Sequence, residues 1–303
     1  MKLIDELKTQ GINVTNISRI NNDIYILSDN NNQYILKKVN DNGIYEFLFS
    51  QGVTSVIYPL SINNSNKIVI RNFDYYLFNY EKEIKYPAKK KVHDLASAIQ
   101  NIHFSTTSKY KVKPENAIPR FKKMYLFLNY QFDRIDNFMR VFETKELYSD
   151  IDYMVLNRYH IMIDLKYYMS RLQMKILDYL EKGLEPILCL NHGNPRIDHL
   201  INKKLISFNH ARLSVPVYDI ALFYINSTHI NVDFASLINN WLDKFDNDFY
   251  RLYFKFLVIY IYIFSINVSD FNNYSNFINI CNKIEMFIEV FLLKTDNTNE
   301  NQQ

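Results

Sequence analysis

Around Tyr86-Pro87 the chain changes its hydrophobic period, and that change decides most of what it can fold into. Before it, residues 14–19, 23–28 and 33–39 cluster or alternate β-branched and aromatic side chains between Asn-rich turns, as half-buried strands do. Asp41 to Gln51 reads as a short helix that Asp41 can cap, with Ile44, Phe47 and Leu48 sharing a face. Two more strands are expected near 66–71 and 74–80, joined by Asn72-Phe73. After the change, residues 90–104, 116–142, 147–182, 232–243, 246–266 and 270–294 are spaced as helices or are apolar throughout. A strand-loop-strand insert, 185–208, falls between the third and fourth of these helices. The expected fold class is α+β, with a β-rich lobe carrying one helix over 1–82 and a connector over 83–88. A mainly helical lobe holding one hairpin should occupy 89–294, and the polar tail 295–303 is expected to be disordered.

Composition removes several function classes. At 303 residues and 48% hydrophobic content the chain can bury a large core divided between two lobes. A net charge of +3 is too small to argue for nucleic acid. Lys89-Lys90-Lys91, the only dense basic run, reads as a solvated helix start. Cys189 and Cys281 lie far apart, as in a reduced intracellular protein rather than a disulfide scaffold. The charged, amphipathic start, Met1 to Lys8, is not a signal peptide. Phe256 to Ile266 is the most apolar run and falls short of the ~20 residues of a membrane span, so a buried helix is expected there. None of the five glycines has the spacing of a P-loop or dinucleotide fingerprint, and Asp23 in the first turn would repel phosphates. There is no Gly-x-Ser-x-Gly elbow for hydrolysis. His192, Asp198, His199 and His210 could form a transition-metal site, but no cysteine accompanies them at ligand spacing.

Four stretches carry a resemblance. They are Tyr34-Ile35-Leu36-Lys37-Lys38-Val39, the strand end Tyr76 to Glu81, the helix His93 to His103, and residues 185–224 with His192-Gly193-Asn194, Ile206-Ser207-Phe208 and Tyr218-Asp219-Ile220-Ala221. Together they resemble the aminoglycoside phosphotransferase and choline kinase branch of the protein-kinase-like fold, and within it the spore coat proteins of the CotS type. The resemblance implies a two-lobed kinase-like fold. It places Lys37 where the family pairs nucleotide phosphates, Glu46 as its helix partner, and Phe78 and Tyr80 along the hinge of a vestigial nucleotide cleft. It gives His192, Gly193 and Asp219 structural roles under the catalytic loop.

The same resemblance puts Asn194 at the catalytic Asp position, and His199 and Ser207 at the magnesium-ligand positions. Asn194 cannot act as a base near neutral pH. Ser207 offers a neutral oxygen, and imidazole is a poor magnesium ligand. Asp198, beside His199, is the possible substitute ligand. The resemblance therefore implies a pseudokinase with a structural or interaction role in the spore coat. Such a protein would partner other coat proteins, move from mother-cell cytoplasm to coat, and need no cofactor. The first alternative is an active small-molecule phosphotransferase using ATP and magnesium, and the second is a nucleotide- or ligand-binding regulator.

Overall fold

A computed structural model describes residues 3–39, 43–108, 111–267 and 274–293. By its contacts the chain divides into two compact units, Met1–Thr107 with Cys189–Leu213, and Ser108–Leu188 with Ser214 onward. The unit that contains the N-terminal sheet thus also takes in the helix after the connector and the segment around His192.

In the first unit, strands β1 (Asn16–Arg19), β2 (Ile24–Ser28), β3 (Gln33–Lys38), β4 (Ile68–Ile70) and β5 (Phe73–Asn79) form an antiparallel sheet in the order β1-β2-β3-β5-β4. Alternation sends successive side chains of a strand to opposite faces. Leu27, Leu36, Tyr75 and Leu77 therefore share one face, and they join Leu7 and Ile12 in a core closed by helix α1 (Leu3–Thr9). Lys38 belongs to that face, its ammonium 3.7 Å from the centre of the Phe73 ring. The opposite face presents Lys37, Tyr76 and Phe78.

Helix α2 (Ile44–Ser50) departs from its expected face. Tyr45 and Leu48 are its buried residues, while Phe47 is exposed and Ile44 only half-buried. Apolar residues fill five of its seven positions, so spacing alone could not choose a side. The expected Asp41 cap and the 295–303 tail lie outside the described residues. Helix α3 (Ala88–Ser105) completes the first part of this unit and buries Val92, Leu95, Ile99 and Ile102 at helical spacing.

The second unit is helical. Helix α4 (Pro114–Glu143) starts with proline at a position where a missing N–H costs nothing. Helix α5 (Asp150–Glu181) starts with a reciprocal capping box between Ser149 and Asp152. Then come α6 (Val217–Ser227), α7 (Phe234–Leu242), α8 (Asp248–Phe264) and α9 (Tyr274–Ile288), the last continued by a π turn over Glu289–Leu293. The apolar run expected to be a buried helix lies mostly on α8, where Phe256, Val258, Ile259 and Ile263 are fully buried. Helix α1 goes beyond the expected elements, and α6 lies outside the helices read from spacing. The sequence of α6, VYDIALFYINS, is apolar almost all round and gives no periodic signal. No described helix is long and apolar enough to cross a membrane.

Candidate functional site

The segment around His192 is built on backbone constraints. Strand β6 (Cys189–Asn191) is tied to the end of α3 by Thr106, whose hydroxyl accepts from the Leu190 N–H at 2.9 Å and donates to the Ile102 carbonyl at 2.6 Å. His192 is fully buried. Its Nε2–H donates to the Ile206 carbonyl at 2.8 Å, so Nδ1 is the acceptor, and it takes the Asn194 N–H at 3.3 Å. One neutral imidazole thus braces both ends of the loop. Gly193 has a φ of +80°, and a Cβ there would lie 2.1 Å from the His210 carbonyl oxygen. Only glycine permits that approach.

Beyond the loop, a hairpin of β7 (Leu200–Ile201) and β8 (Lys204–Leu205) turns through Asn202 and Lys203, both at positive φ. The Leu205 N–H donates to Ser55 and its carbonyl accepts from Ile57, which fixes the hairpin to the 55–57 segment. Phe208 follows and is buried. Its ring lies 4.9 Å from that of His192 and 5.6 Å from that of Tyr45. Tyr45 in turn meets Tyr76 at 4.9 Å and Phe78 at 5.5 Å. An unbroken run of rings therefore links the inner face of the sheet, α2 and the loop. Phe78 is part of this core, whereas Tyr80 is exposed.

Of the side chains at the chemical positions, those of His199 and Asp198 are engaged. Asn194 is half-buried, and its carbonyl accepts from His199 Nδ1–H at 2.9 Å. That bond leaves the His199 proton on Nδ1. Burial pushes the His199 imidazole below its ordinary value of 6.5, and the Arg196 and Lys37 charges push the same way against the Asn194 carbonyl and Asp198. His199 is therefore neutral at pH 7. Asp198 is exposed and held side-on by Arg196, at 3.0 and 3.1 Å. Ser207 sits in the left-handed region, φ 68° and ψ 55°, as a half-buried hydroxyl. Glu46 is exposed, one position after the buried Tyr45 on α2. Asp219 belongs to the second unit, fully buried in the first turn of α6.

Magnesium does not fit this donor set. It requires several oxygen ligands in octahedral array, carboxylates foremost. Asn194, His199 and Ser207 bring no carboxylate, and Asp198 is taken up by Arg196. Among the described residues no three His, Cys, Asp or Glu side chains cluster as metal ligands.

No protein-family model and no curated protein sequence matches the chain. Among solved structures it is similar to an aminoglycoside phosphotransferase from Alicyclobacillus acidocaldarius, with a TM-score of 0.56 at 12% identity, over 94% of this chain and 93% of that one. The fold is protein-kinase-like. It is α+β and two-lobed. A choline kinase from Streptococcus pneumoniae (TM-score 0.43, 15% identity, 92% of this chain and 98% of that one) and a macrolide 2′-phosphotransferase from Brachybacterium faecium (0.45, 10%, 92% and 96%) are also similar.

Two residues of this kinase-like chain carry structural weight that its motifs do not announce. Asn202, at the hairpin tip, donates from Nδ2 to the Lys82 carbonyl at 3.2 Å and the Glu81 carboxylate at 3.4 Å, and accepts the Ile84 N–H at 3.0 Å. Its amide thereby satisfies backbone groups of the connector that no sheet partner reaches. The only sequence signal is the polar run Asn202-Lys203-Lys204 between the apolar pairs Leu200-Ile201 and Leu205-Ile206, which marks a turn and not its partner. Tyr45 is the other, adjacent to the Glu46 that motif reading selects.

Proposed function

We propose that this is a catalytically degenerate kinase-like protein that works by binding or assembly and not by phosphoryl transfer. The observation that carries this reading is the state of the loop's donors. His199 spends its proton on the Asn194 carbonyl, Asp198 is clamped by Arg196, and Ser207 is neutral. Phosphoryl transfer depends on charge neutralisation by a carboxylate-held metal ion and on positioning of the nucleophile, and Asn194, His199 and Ser207 supply no carboxylate for either. The sequence resemblance supplies the setting, a spore coat component that partners other coat proteins.

The test is thermal unfolding and ATP turnover of the full chain. With millimolar ATP and magnesium the melting temperature should stay within a degree, and no ATP should be consumed with sugars, amines or aminoglycosides. ATP consumption that disappears in Lys37→Ala would overturn the reading in favour of an active phosphotransferase. A fluorescent fusion should ring the developing spore; diffuse signal would remove the coat setting alone.

One observation favours a second reading, a regulator that binds an anionic ligand. Lys37 shares a sheet face with Tyr76 and Phe78, and its charge is the smallest of those that lower the His199 pKa, so positive charge is directed towards the loop from that face. A melting shift with ATP that needs no magnesium, and is lost in Lys37→Ala, would select that reading over assembly.

A further inference from the structure

The turn between α4 and α5 is an apolar knob on a rigid base. Leu147 is 88% exposed, Tyr153 54%, Met154 52% and Ile151 48%, four large apolar side chains within eight residues. Single exposed apolar residues are ordinary, but a cluster of this density marks a contact surface. The base beneath it is well made. Asp152 is buried, caps α5 through the Ser149 N–H at 2.9 Å, and is paired with Lys145 at 2.5 Å. The Tyr148 and Tyr153 rings meet at 5.3 Å. A surface already ordered loses little entropy on binding. Around the knob stand Glu143, Glu146 and Asp150, all exposed, against the exposed Arg140 and a lysine that is spent on Asp152. That acidic rim disfavours an anionic membrane.

The complementary surface lies further along the same helix. Helices α5, α8 and α9 with its π turn enclose a groove of about 690 Å³, and Leu165, Leu172 and Leu252 form its floor. Arg171 and Lys175, one turn apart on α5 and both exposed, stand on its wall with Lys255 of α8. Like charges at that spacing oppose each other, and an anion between them relieves the cost. The groove also holds three acidic residues: Glu285 is paired with Arg158, Asp164 lies two turns before Arg171, and Glu289 stands across from α5 at the start of the π turn. Acidic and basic ends are thus separated along α5.

We propose that the α4–α5 knob of one copy seats in the α5–α8–α9 groove of a second copy, apolar tip on apolar floor and acidic rim against Arg171 and Lys175. Knob and groove are different surfaces, so the contact is heterologous. Each added copy leaves one free knob and one free groove, and the assembly grows head to tail. This inference holds whether or not the cleft transfers phosphate, because association and ATP turnover are measured separately.

Analytical ultracentrifugation of the full chain over a concentration series tests it. Mean mass should rise past that of a dimer. Leu147→Glu with Ile151→Glu should abolish association, and so should Arg171→Glu with Lys175→Glu, each with an unchanged circular dichroism spectrum. Mixing the two variants restores one intact interface and should give a heterodimer that grows no further, which also shows that both variants are folded. A monomer at every concentration, a dimer that stops at two copies, growth insensitive to both variants, or a mixture that stays monomeric would each overturn the proposal.

Discussion

The 189–213 segment has a buried side and an open side, and they are built differently. On the buried side, His192 uses both ring nitrogens on backbone groups, Gly193 admits a backbone approach that no Cβ allows, and Phe208 sits in a run of rings. On the open side the bonds are local: His199 donates to the main-chain carbonyl of Asn194 five residues before it, and Arg196 pairs with Asp198. The contrast teaches that a loop's shape and its chemistry draw on separate residues. Shape comes from burial and saturated hydrogen bonds, which a side-chain change at Asn194 or Ser207 leaves untouched.

Stability measurements can break that separation. If the buried side alone carries the shape, Phe208→Ala should cost about 3–5 kcal/mol in chemical denaturation, as removal of a buried aromatic does. Gly193→Ala should cost roughly 3 kcal/mol, because the new Cβ both meets the His210 carbonyl and must adopt a positive φ. A cost under 1 kcal/mol at either position would mean the loop relaxes freely, and the distinction between sides would fail. Asn202→Ala should fall between the two sides, at about 1–2 kcal/mol. It leaves the Lys82 carbonyl and the Ile84 N–H without their partner, but at an exposed place that water can reach.

How far the sequence reaches follows the same physics. The five strands were legible because alternation is a local signal, the same alternation that puts Lys37 and Lys38 on opposite faces of β3. Helix α6 was not legible, since a helix buried on all sides has no polar face to mark its period. Tyr45 was missed for a related reason: α2 is apolar at most of its positions, and which one faces the sheet is decided by Tyr76 and Phe78, about thirty residues later. Asn202 was beyond reach altogether, because its partners lie 118 to 121 residues away in the chain. Motif positions fix which residues to inspect; their hydrogen bonds depend on distant segments.

The smallest expected effect is the sharpest probe of the open side. Arg196 and Asp198 are exposed, so removing either should change stability by less than about 0.5 kcal/mol. Both nevertheless act on the His199 imidazole, in opposite directions. Arg196→Ala removes a nearby positive charge and should raise the His199 pKa, whereas Asp198→Asn removes a negative one and should lower it further. Because the folded pKa lies below the ordinary 6.5, the stability His199 contributes is present above that pH and is lost as pH falls from 6.5 through the folded value. Arg196→Ala should shrink that loss and Asp198→Asn enlarge it. Histidine titration by NMR measures both shifts directly. Equal shifts in the same direction would mean that the ion pair acts on His199 by holding the loop, and the open side would then share in maintaining its shape.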